Sequence, residues 1–220
     1  MLKSSAGASR VSPRVFPEAK PHRVSSPPLL ILASASPRRQ QLLREAGYKF
    51  IVHPADINED NYPPQIKPYD LAEALAVKKA QAVAKLFPQD VVLGADTVVA
   101  FGDVILGKPR DPAHARGMLT LLSGTTHIVI TGVSVLRLAS DFSARSRVMS
   151  AVRMRDLWPD EIERYVQSNQ WQGKAGGYGI QDNDPFVTRM AGCHTNIVGL
   201  PMTETKRLLA LAGITPPERR

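Results

Sequence analysis

The stretch LILASASPRRQQLLREAG, residues 30–47, predicts a buried strand that leads directly into a helix. Leu29–Ala33 is an apolar run of strand length, and a short turn of serine and alanine follows it. Ser36 is suited to cap the helix, because its side-chain oxygen can accept from backbone N–H groups of the first turn. Pro37 is suited to the first helical position, where its missing N–H group costs nothing.

The first turn of this helix contains an electrostatic conflict. Arg38 and Arg39 lie where a helix carries partial positive charge, a place that favours carboxylates over guanidinium groups. A phosphate held by the helix N–H groups and by both arginines would remove the conflict, since guanidinium groups bind phosphate through paired hydrogen bonds. The stretch therefore predicts an anion site at the start of the helix.

Strands and helices alternate along the rest of the chain, without internal repeats. Strands are predicted at the start of FIVHPADINED (50–60), as a hairpin with a tight turn at 101–103, at 126–138 and at 142–154. Helices are predicted over about 70–87, in 111–124 with Asp111 as N-cap, in 158–169 and in 200–213. Because hairpins exclude a purely parallel sheet, the predicted fold is α/β with a mixed sheet.

Charge and composition argue against several classes of protein. The chain has 220 residues, 43% of them hydrophobic, and a formal net charge of +8. Half of this charge lies in residues 1–28, which hold five basic residues and one acidic residue. The remainder suits a polyanionic small molecule. The aromatic residues are scattered, and no apolar run approaches the roughly 18 residues that span a bilayer, so we expect neither a nucleic acid nor a membrane as partner.

Residues 1–28 are rich in serine, proline and arginine, and we expect them to form a disordered extension ahead of one domain over 29–220. Their composition is also typical of an organellar transit peptide. Alternatively, a mis-assigned start codon would add a segment of this kind to the sequence. The single cysteine, Cys193, excludes an internal disulfide and a cysteine-based zinc site. It fits a reducing compartment, and we expect a cytoplasmic protein.

Two charged residues interrupt apolar patterns. Lys79 falls inside the apolar stripe that Leu71, Leu75 and Leu86 define on the second predicted helix. Its ammonium must either reach solvent along the helix surface or meet an anion. Asp96 interrupts the strand VVLGADTVVAF, where a carboxylate is costly unless it is paired, caps a turn or binds a metal.

Other candidates give weaker signals. Glu59 lies in the acidic segment DINEDN, which could simply be solvated, and Lys108 lies between a glycine and a proline that could aim its side chain. The segment GKAGGYGIQ lacks the spacing of a Walker-type loop. It is either a flexible connection or a loop that approaches a ligand, with Lys174 and Gln181 as donors. His127 has no second histidine at ligand spacing, so we predict a hydrogen bond within the sheet.

Six segments together resemble the signature blocks of the Maf family of nucleoside triphosphate pyrophosphatases. In order, they are LILASASPRRQQLL, GADTVV, ILGKPRD, LSGTTHIVITGV, GKAGGYGIQ and NIVGLPMTET, and they span residues 29 to about 212. The resemblance implies an elongated, two-lobed α/β subunit with a central cleft, similar to inosine triphosphate pyrophosphatases and usually dimeric. It also implies hydrolysis of a nucleoside triphosphate to the monophosphate and pyrophosphate, with Mg²⁺ or Mn²⁺.

The resemblance assigns roles to individual residues. Arg38 and Arg39 match the phosphate-binding arginines of the family's SPRR motif, in which Ser36 also stands. Four further residues match polar residues of the family's cleft: Glu59, Lys79, Asp96 and Lys108. Asp96 matches the proton acceptor, and we expect Glu59 and Asp96 to hold the metal. Basic residues would then bind the triphosphate, while the carboxylates bind the metal and accept the proton.

The resemblance also separates substrates within the family. Arg38, Thr97 and Gln181 match members that act on dTTP and UTP, whereas members that act on 7-methyl-GTP have an aromatic residue, Gln and Glu there. We therefore expect dTTP, UTP or a modified pyrimidine nucleotide as substrate. The alternative is a nucleotide-binding regulator without turnover, because the family was first linked to inhibition of septum formation.

Overall fold

The computed structural model describes residues 27–180 and 186–217. Within these ranges the strands are β1 (Leu30–Leu32), β2 (Ile51–Val52), β3 (Val91–Phe101), β4 (Val104–Leu106), β5 (Thr126–Arg137), β6 (Phe142–Met154) and β7 (Val187–Ala191). The α-helices are α1 (Pro37–Glu45), α2 (Pro68–Ala84), α3 (Pro112–Leu122), α4 (Pro159–Gln167), α5 (His194–Val198) and α6 (Met202–Leu211). Short 3₁₀ turns occupy Leu138–Ser140 and Ala175–Gly177.

Among the described residues, the strands form one mixed sheet in the order β2, β1, β3, β5, β6, β7, with β4 paired to β3. Strand β1 runs parallel to β2 and β3, and the other pairs are antiparallel. The parallel pairs follow from crossovers through helices, and two of the antiparallel pairs, β3 with β4 and β5 with β6, follow from short returns such as the Gly102–Asp103 turn. The predicted α/β class with a mixed sheet is confirmed.

Helices cover both faces of the sheet. On one face α1 and α6 pack against β1, β3 and β5 through residues such as Leu43 and Leu208. On the other face α2 packs against β3 and β5. Helices α3 and α4 enclose a further apolar cluster with one end of β3, β5 and β6. Two adjacent polar residues of β3 thereby lie on opposite faces of the sheet, Asp96 towards α2 and Thr97 towards α1.

The packing of α2 requires two glycines in the sheet. A Cβ at Gly94 would lie 2.3 Å from the carbonyl oxygen of Ala76, and one at Gly132 would lie 2.3 Å from that of Ala72. Ala72, Ala76 and Ala80 are fully buried on the helix. Because neither side presents bulk at this contact, the helix backbone approaches the sheet backbone closely.

The predicted N-caps of the first and third helices are confirmed. The Ser36 hydroxyl accepts from the N–H of Arg39 at 3.5 Å, and the Asp111 carboxylate accepts from the N–H of His114 at 2.7 Å. The hairpin predicted around 101–103 is also confirmed, although Phe101 still pairs with Val104, so that the turn itself is Gly102 and Asp103.

The predicted bounds of the second helix were wrong at both ends. It begins at Pro68, which suits a first helical position, and it ends at Ala84. Pro88 disfavours helical geometry at the residue before it, so the helix stops short of Phe87. Leu86, placed on the apolar stripe by the sequence, therefore lies beyond the helix and is 63% exposed.

Several predictions concern residues for which no structure is described. Residues 1–26 lie outside the described ranges, so the predicted disordered extension stays a prediction. Within the described ranges, no helix has the length and apolar character needed to cross a membrane.

Replacing Gly94 by alanine tests the close contact between α2 and the sheet. The added Cβ would force the helix away from β3, and we expect the free energy of unfolding to fall by about 1–3 kcal/mol. Gly117→Ala is the matched control, because a Cβ there meets nothing within 4 Å. Urea denaturation measures both differences, and a wild-type midpoint for Gly94→Ala would contradict the close packing.

Candidate active site

A cavity of about 520 Å³ opens beside β3, between the turn that follows β1 and the glycine-rich loop that precedes β7. Its polar and charged lining includes Ser34, Ser36, Arg38, Arg39, Glu59, Lys79, Asp96, Thr97, Lys108 and Lys174. The predicted site residues that have described positions therefore converge on one cavity, although they come from six separate segments. Gln181 lies outside the described residues, so its predicted role stays a prediction.

Lys79 sits at the centre of an ion network. Its ammonium contacts Oδ1 of Asp96 and lies 3.0 Å from Oε1 of Glu59. The other oxygen of Glu59 lies 2.9 Å from Nζ of Lys108. Charges of opposite sign therefore alternate from the buried Asp96 to the exposed Lys108.

The network resolves both alternatives that the sequence left open. The Lys79 and Asp96 side chains are each only 6% exposed, so Lys79 meets an anion instead of reaching solvent, and Asp96 is paired. Burial acts to raise the pKa of Glu59, but the Lys79 and Lys108 ammonium groups hold that pKa below its ordinary value. Glu59 is therefore an ionised carboxylate at neutral pH.

Arg39 is held by the protein on three sides. Its Nε donates to the carbonyl of Gly199 at 2.8 Å, and its two terminal nitrogens donate to the hydroxyls of Ser34 at 3.0 Å and Thr97 at 3.1 Å. These bonds use three of its five N–H groups, so at most two are left for a phosphate. Burial lowers the pKa of Arg39, Asp96 opposes the shift, and the Arg38 charge adds to it.

Arg38 and Lys174 also line the cavity. Arg38 is half-buried and donates to the carbonyl of Gly173 at 3.1 Å. Lys174 is 8% exposed, and its ammonium lies 6.0 Å from the centre of the Tyr165 ring. The glycine-rich loop thus faces the start of α1 across the cavity, which is the arrangement expected if both bind one ligand.

The partner of His127 lies outside the sheet. Its Nε2 lies 2.5 Å from the hydroxyl of Tyr178, which lines the cavity, so the predicted hydrogen bond within the sheet was wrong. The ring is 1% exposed, and burial lowers its pKa to about 4. The loop that carries Tyr178 is therefore tied to the core by a neutral imidazole.

The charge of the lining favours an anionic ligand that brings a cation. Arg38, Arg39, Lys79, Lys108 and Lys174 outnumber the two carboxylates of the lining. No three acidic, histidine or cysteine side chains of the described residues converge as a metal cage. Oε1 of Glu59 and Oδ1 of Asp96 do meet at one ammonium. Two carboxylates with phosphate oxygens and water are a donor set that Mg²⁺ uses in nucleotide sites, so these residues fit such an ion.

Comparison with known proteins assigns the family. The family described as "Maf-like protein" matches residues 29–212. This chain belongs to the Maf family. A relative from Moorella thermoacetica named "dTTP/UTP pyrophosphatase" is 44% identical over 186 residues, which are 84% of this chain and 95% of the relative. A relative of the same name from Cereibacter sphaeroides is 46% identical over 188 residues, which are 84% and 95% of the two chains.

Among solved structures, a nucleoside-triphosphatase (dITP/XTP pyrophosphatase) from Mycobacterium abscessus covers 85% of this Maf protein and 98% of its own chain. The sequence identity is 14% and the TM-score is 0.42. A likeness at this level does not define a fold, so the fold assignment rests on the sheet topology and on family membership.

Sequence patterns did not reveal the residues that support the site from behind. Thr131 and Asn196 are fully buried, and the Thr131 hydroxyl donates to the backbone carbonyl of Asn196. Both residues lie in blocks of the family resemblance, LSGTTHIVITGV and NIVGLPMTET, but that resemblance assigned no role to either of them. Helix α5 and strand β7, which bring Asn196 here, are five residues each and were not predicted.

Removing the Lys79 ammonium should destabilise this Maf protein strongly. In Lys79→Met two carboxylates lose their shared partner, and Asp96 stays buried, so we expect the free energy of unfolding to fall by about 3–5 kcal/mol at pH 7. Lys67→Met is the control: it removes the exposed pair with Asp103, which is worth at most about 1 kcal/mol. Urea denaturation compares them, and similar losses would show that the buried network contributes little.

The buried His127 predicts a pH dependence of stability. The unfolded chain takes up a proton near pH 6.5, whereas the folded protein does so only near 4. The contribution of neutral His127 to the free energy of unfolding is therefore fully present above about pH 6.5. It is lost as the pH falls towards 4, by at most about 1.4 kcal/mol per pH unit. Between pH 5 and 7, His127→Gln should flatten the slope. The control His194→Gln, at an exposed position, should not; equal slopes in all three proteins would refute the assignment.

Proposed function

We propose that this protein is a nucleoside triphosphate pyrophosphatase that hydrolyses dTTP and UTP to the monophosphate and pyrophosphate. The observation that carries the proposal is the cavity, in which five cationic side chains surround two carboxylates that meet at one ammonium. Relatives 44% and 46% identical over most of the chain bear the name dTTP/UTP pyrophosphatase. A binding-only regulator would need neither a buried carboxylate nor its paired lysine.

The triphosphate binds at the cationic wall of the cavity. Arg38 and Lys174 reach it from opposite sides, and Lys108 reaches it from the loop after β4. The N-terminus of α1, capped by Ser36, adds the partial positive charge of the helix. Together these groups offset the charge that develops on the leaving pyrophosphate, while Arg39 adds a buried positive charge whose position is set by the protein.

Asp96 accepts the proton of the attacking water. The water oxygen forms a bond to the α-phosphorus, and the bond from that phosphorus to the bridging oxygen breaks, so that pyrophosphate leaves with the electron pair. Lys79 orients the Asp96 carboxylate and balances its charge in the buried site. Glu59 and Asp96 would hold a Mg²⁺ or Mn²⁺ ion, which supplies charge neutralisation at the phosphates and a lower pKa for bound water.

The preference for a pyrimidine rests on Arg38, Thr97 and Gln181, which match the family members that act on dTTP and UTP. A neutral amide at Gln181 suits a pyrimidine edge better than a carboxylate would. We further propose that the protein is a homodimer in the cytoplasm and that neither a nucleic acid nor a membrane is its partner.

Release of pyrophosphate from a panel of nucleotides tests the function. With Mg²⁺ or Mn²⁺, we expect turnover of dTTP and UTP, and little turnover of CTP or 7-methyl-GTP. Asp96→Asn should still bind dTTP in titration calorimetry but should lose roughly 100-fold or more in kcat, since it removes the general base. Asp103→Asn, on the exposed hairpin turn, is the control.

The outcomes separate the enzyme from the regulator. Nucleotide binding by wild type without any release of pyrophosphate would overturn the proposal and favour a regulator. Turnover that prefers 7-methyl-GTP would keep the reaction and overturn the substrate assignment.

A further inference from the structure

A chain of hydrogen bonds leads from Arg39 away from the cavity. The guanidinium donates to the Thr97 hydroxyl at 3.1 Å, and the Thr97 and Thr131 hydroxyl oxygens lie 2.9 Å apart. The Thr131 hydroxyl donates to the backbone carbonyl of Asn196 at 2.9 Å. The chain therefore crosses from α1 through β3 and β5 to α5.

The three hydrogen bonds of this chain can form together in only one way. A threonine hydroxyl has one hydrogen, and when that of Thr131 goes to the Asn196 carbonyl, the contact between the two hydroxyls uses the hydrogen of Thr97. Arg39 then donates to Thr97, Thr97 donates to Thr131, and Thr131 donates to Asn196. In this arrangement the Thr97 hydroxyl has no hydrogen left to donate to a nucleobase carbonyl.

The far end of the chain is anchored in the core. The Asn196 side-chain amide is fully buried and donates to the Val129 carbonyl at 3.0 Å and to the Ser150 hydroxyl at 2.9 Å. These bonds hold α5 against β5 and β6. Gly199, which follows α5, presents its carbonyl to Arg39 at 2.8 Å and adopts a φ of +118°. Arg39 and Thr97 are therefore positioned by the same short segment.

We propose that Thr97 is a positioning residue that acts on the phosphates through Arg39, and that it does not read the base. The proposal rests on the proposed function and deepens it. Thr97 aligns with the position that separates substrate classes in the family resemblance. The hydrogen-bond chain gives a residue at this position an effect on phosphate binding without contact to the base, because it sets the orientation of a buried guanidinium.

Competitive inhibition by two fragments of the substrate tests the proposal. Inorganic tripolyphosphate has no base, and thymidine has no phosphate. Formation of dTMP from dTTP gives the inhibition constant of each. We expect Thr97→Val to raise the inhibition constant of tripolyphosphate and the KM for dTTP by a similar factor, roughly tenfold for one charge-assisted hydrogen bond, and to leave that of thymidine unchanged.

Three further variants separate positioning from general damage. Thr131→Val should give the same pattern as Thr97→Val, although Thr131 lies outside the cavity lining. Thr97→Ser, which keeps the hydroxyl, should recover most of the lost affinity. Ser134→Ala is the matched control for Thr131→Val. Ser134 is buried on β5, as Thr131 is, and its hydroxyl has no hydrogen-bond partner among the described residues. It should behave as wild type.

Two results would overturn the inference. Weaker binding of thymidine to Thr97→Val, with tripolyphosphate unaffected, would show a contact to the base. Wild-type behaviour of Thr131→Val would show that the chain has no effect. If wild type forms no dTMP, the proposed function fails; calorimetric binding of tripolyphosphate to wild type and Thr97→Val then decides the inference, and equal affinities refute it.

Discussion

The contact between α2 and the backbone of β3 and β5 determines the rest of the site. Gly94 and Gly132 leave room for the helix backbone, and buried alanines on α2 complete the fit. Because the helix lies this close to the sheet, the Lys79 side chain packs against β3. Its ammonium contacts Asp96, which is on the same strand as Gly94. A buried lysine and a buried aspartate are each costly alone, so the close packing and the ion pair depend on one another.

The cationic residues of the cavity fall into two groups with different physical roles. Arg39 and Lys79 are buried and engaged by protein acceptors or carboxylates, so the fold determines their positions before any ligand arrives. Lys108 is exposed and Arg38 half-buried, and both stand nearer to solvent. Such an arrangement supplies a preorganised field at the reacting centre together with outer groups that can adjust to the phosphates. The two arginines of this helical turn therefore differ: the protein holds Arg39 in place on three sides, whereas Arg38 lies nearer to solvent.

Local chemistry explains which sequence predictions succeeded. Ser36 and Asp111 cap their helices as expected, because capping depends only on residues three positions apart. The predicted helix end at Phe87 and the placement of Leu86 on the apolar stripe were wrong, because the periodic pattern continues up to Pro88 whereas the helix ends at Ala84. The partner of His127 was also wrong, since Tyr178 is 51 residues away in the chain. Strand β7 and helix α5 were missed because five residues carry too little periodicity, and their stability comes from pairing with β6 and from the buried Asn196.

The sequence by itself determined the class of fold, the capped helix with its two arginines, and the residues whose charge conflicts with an apolar setting. Those features depend on neighbours within one turn or one strand, and a family resemblance in six ordered blocks joined them into one function. Only the tertiary structure decided what each charge meets: that Lys79 joins Asp96 to Glu59, that Arg39 is held by Ser34, Thr97 and Gly199, and that the Thr97 hydroxyl lies between Arg39 and Thr131. The reason is physical. The energy of a buried charge depends on partners that approach within a few ångströms in space, and in this fold those partners lie 17 to 160 residues away in the chain, with Ser34 the one near neighbour.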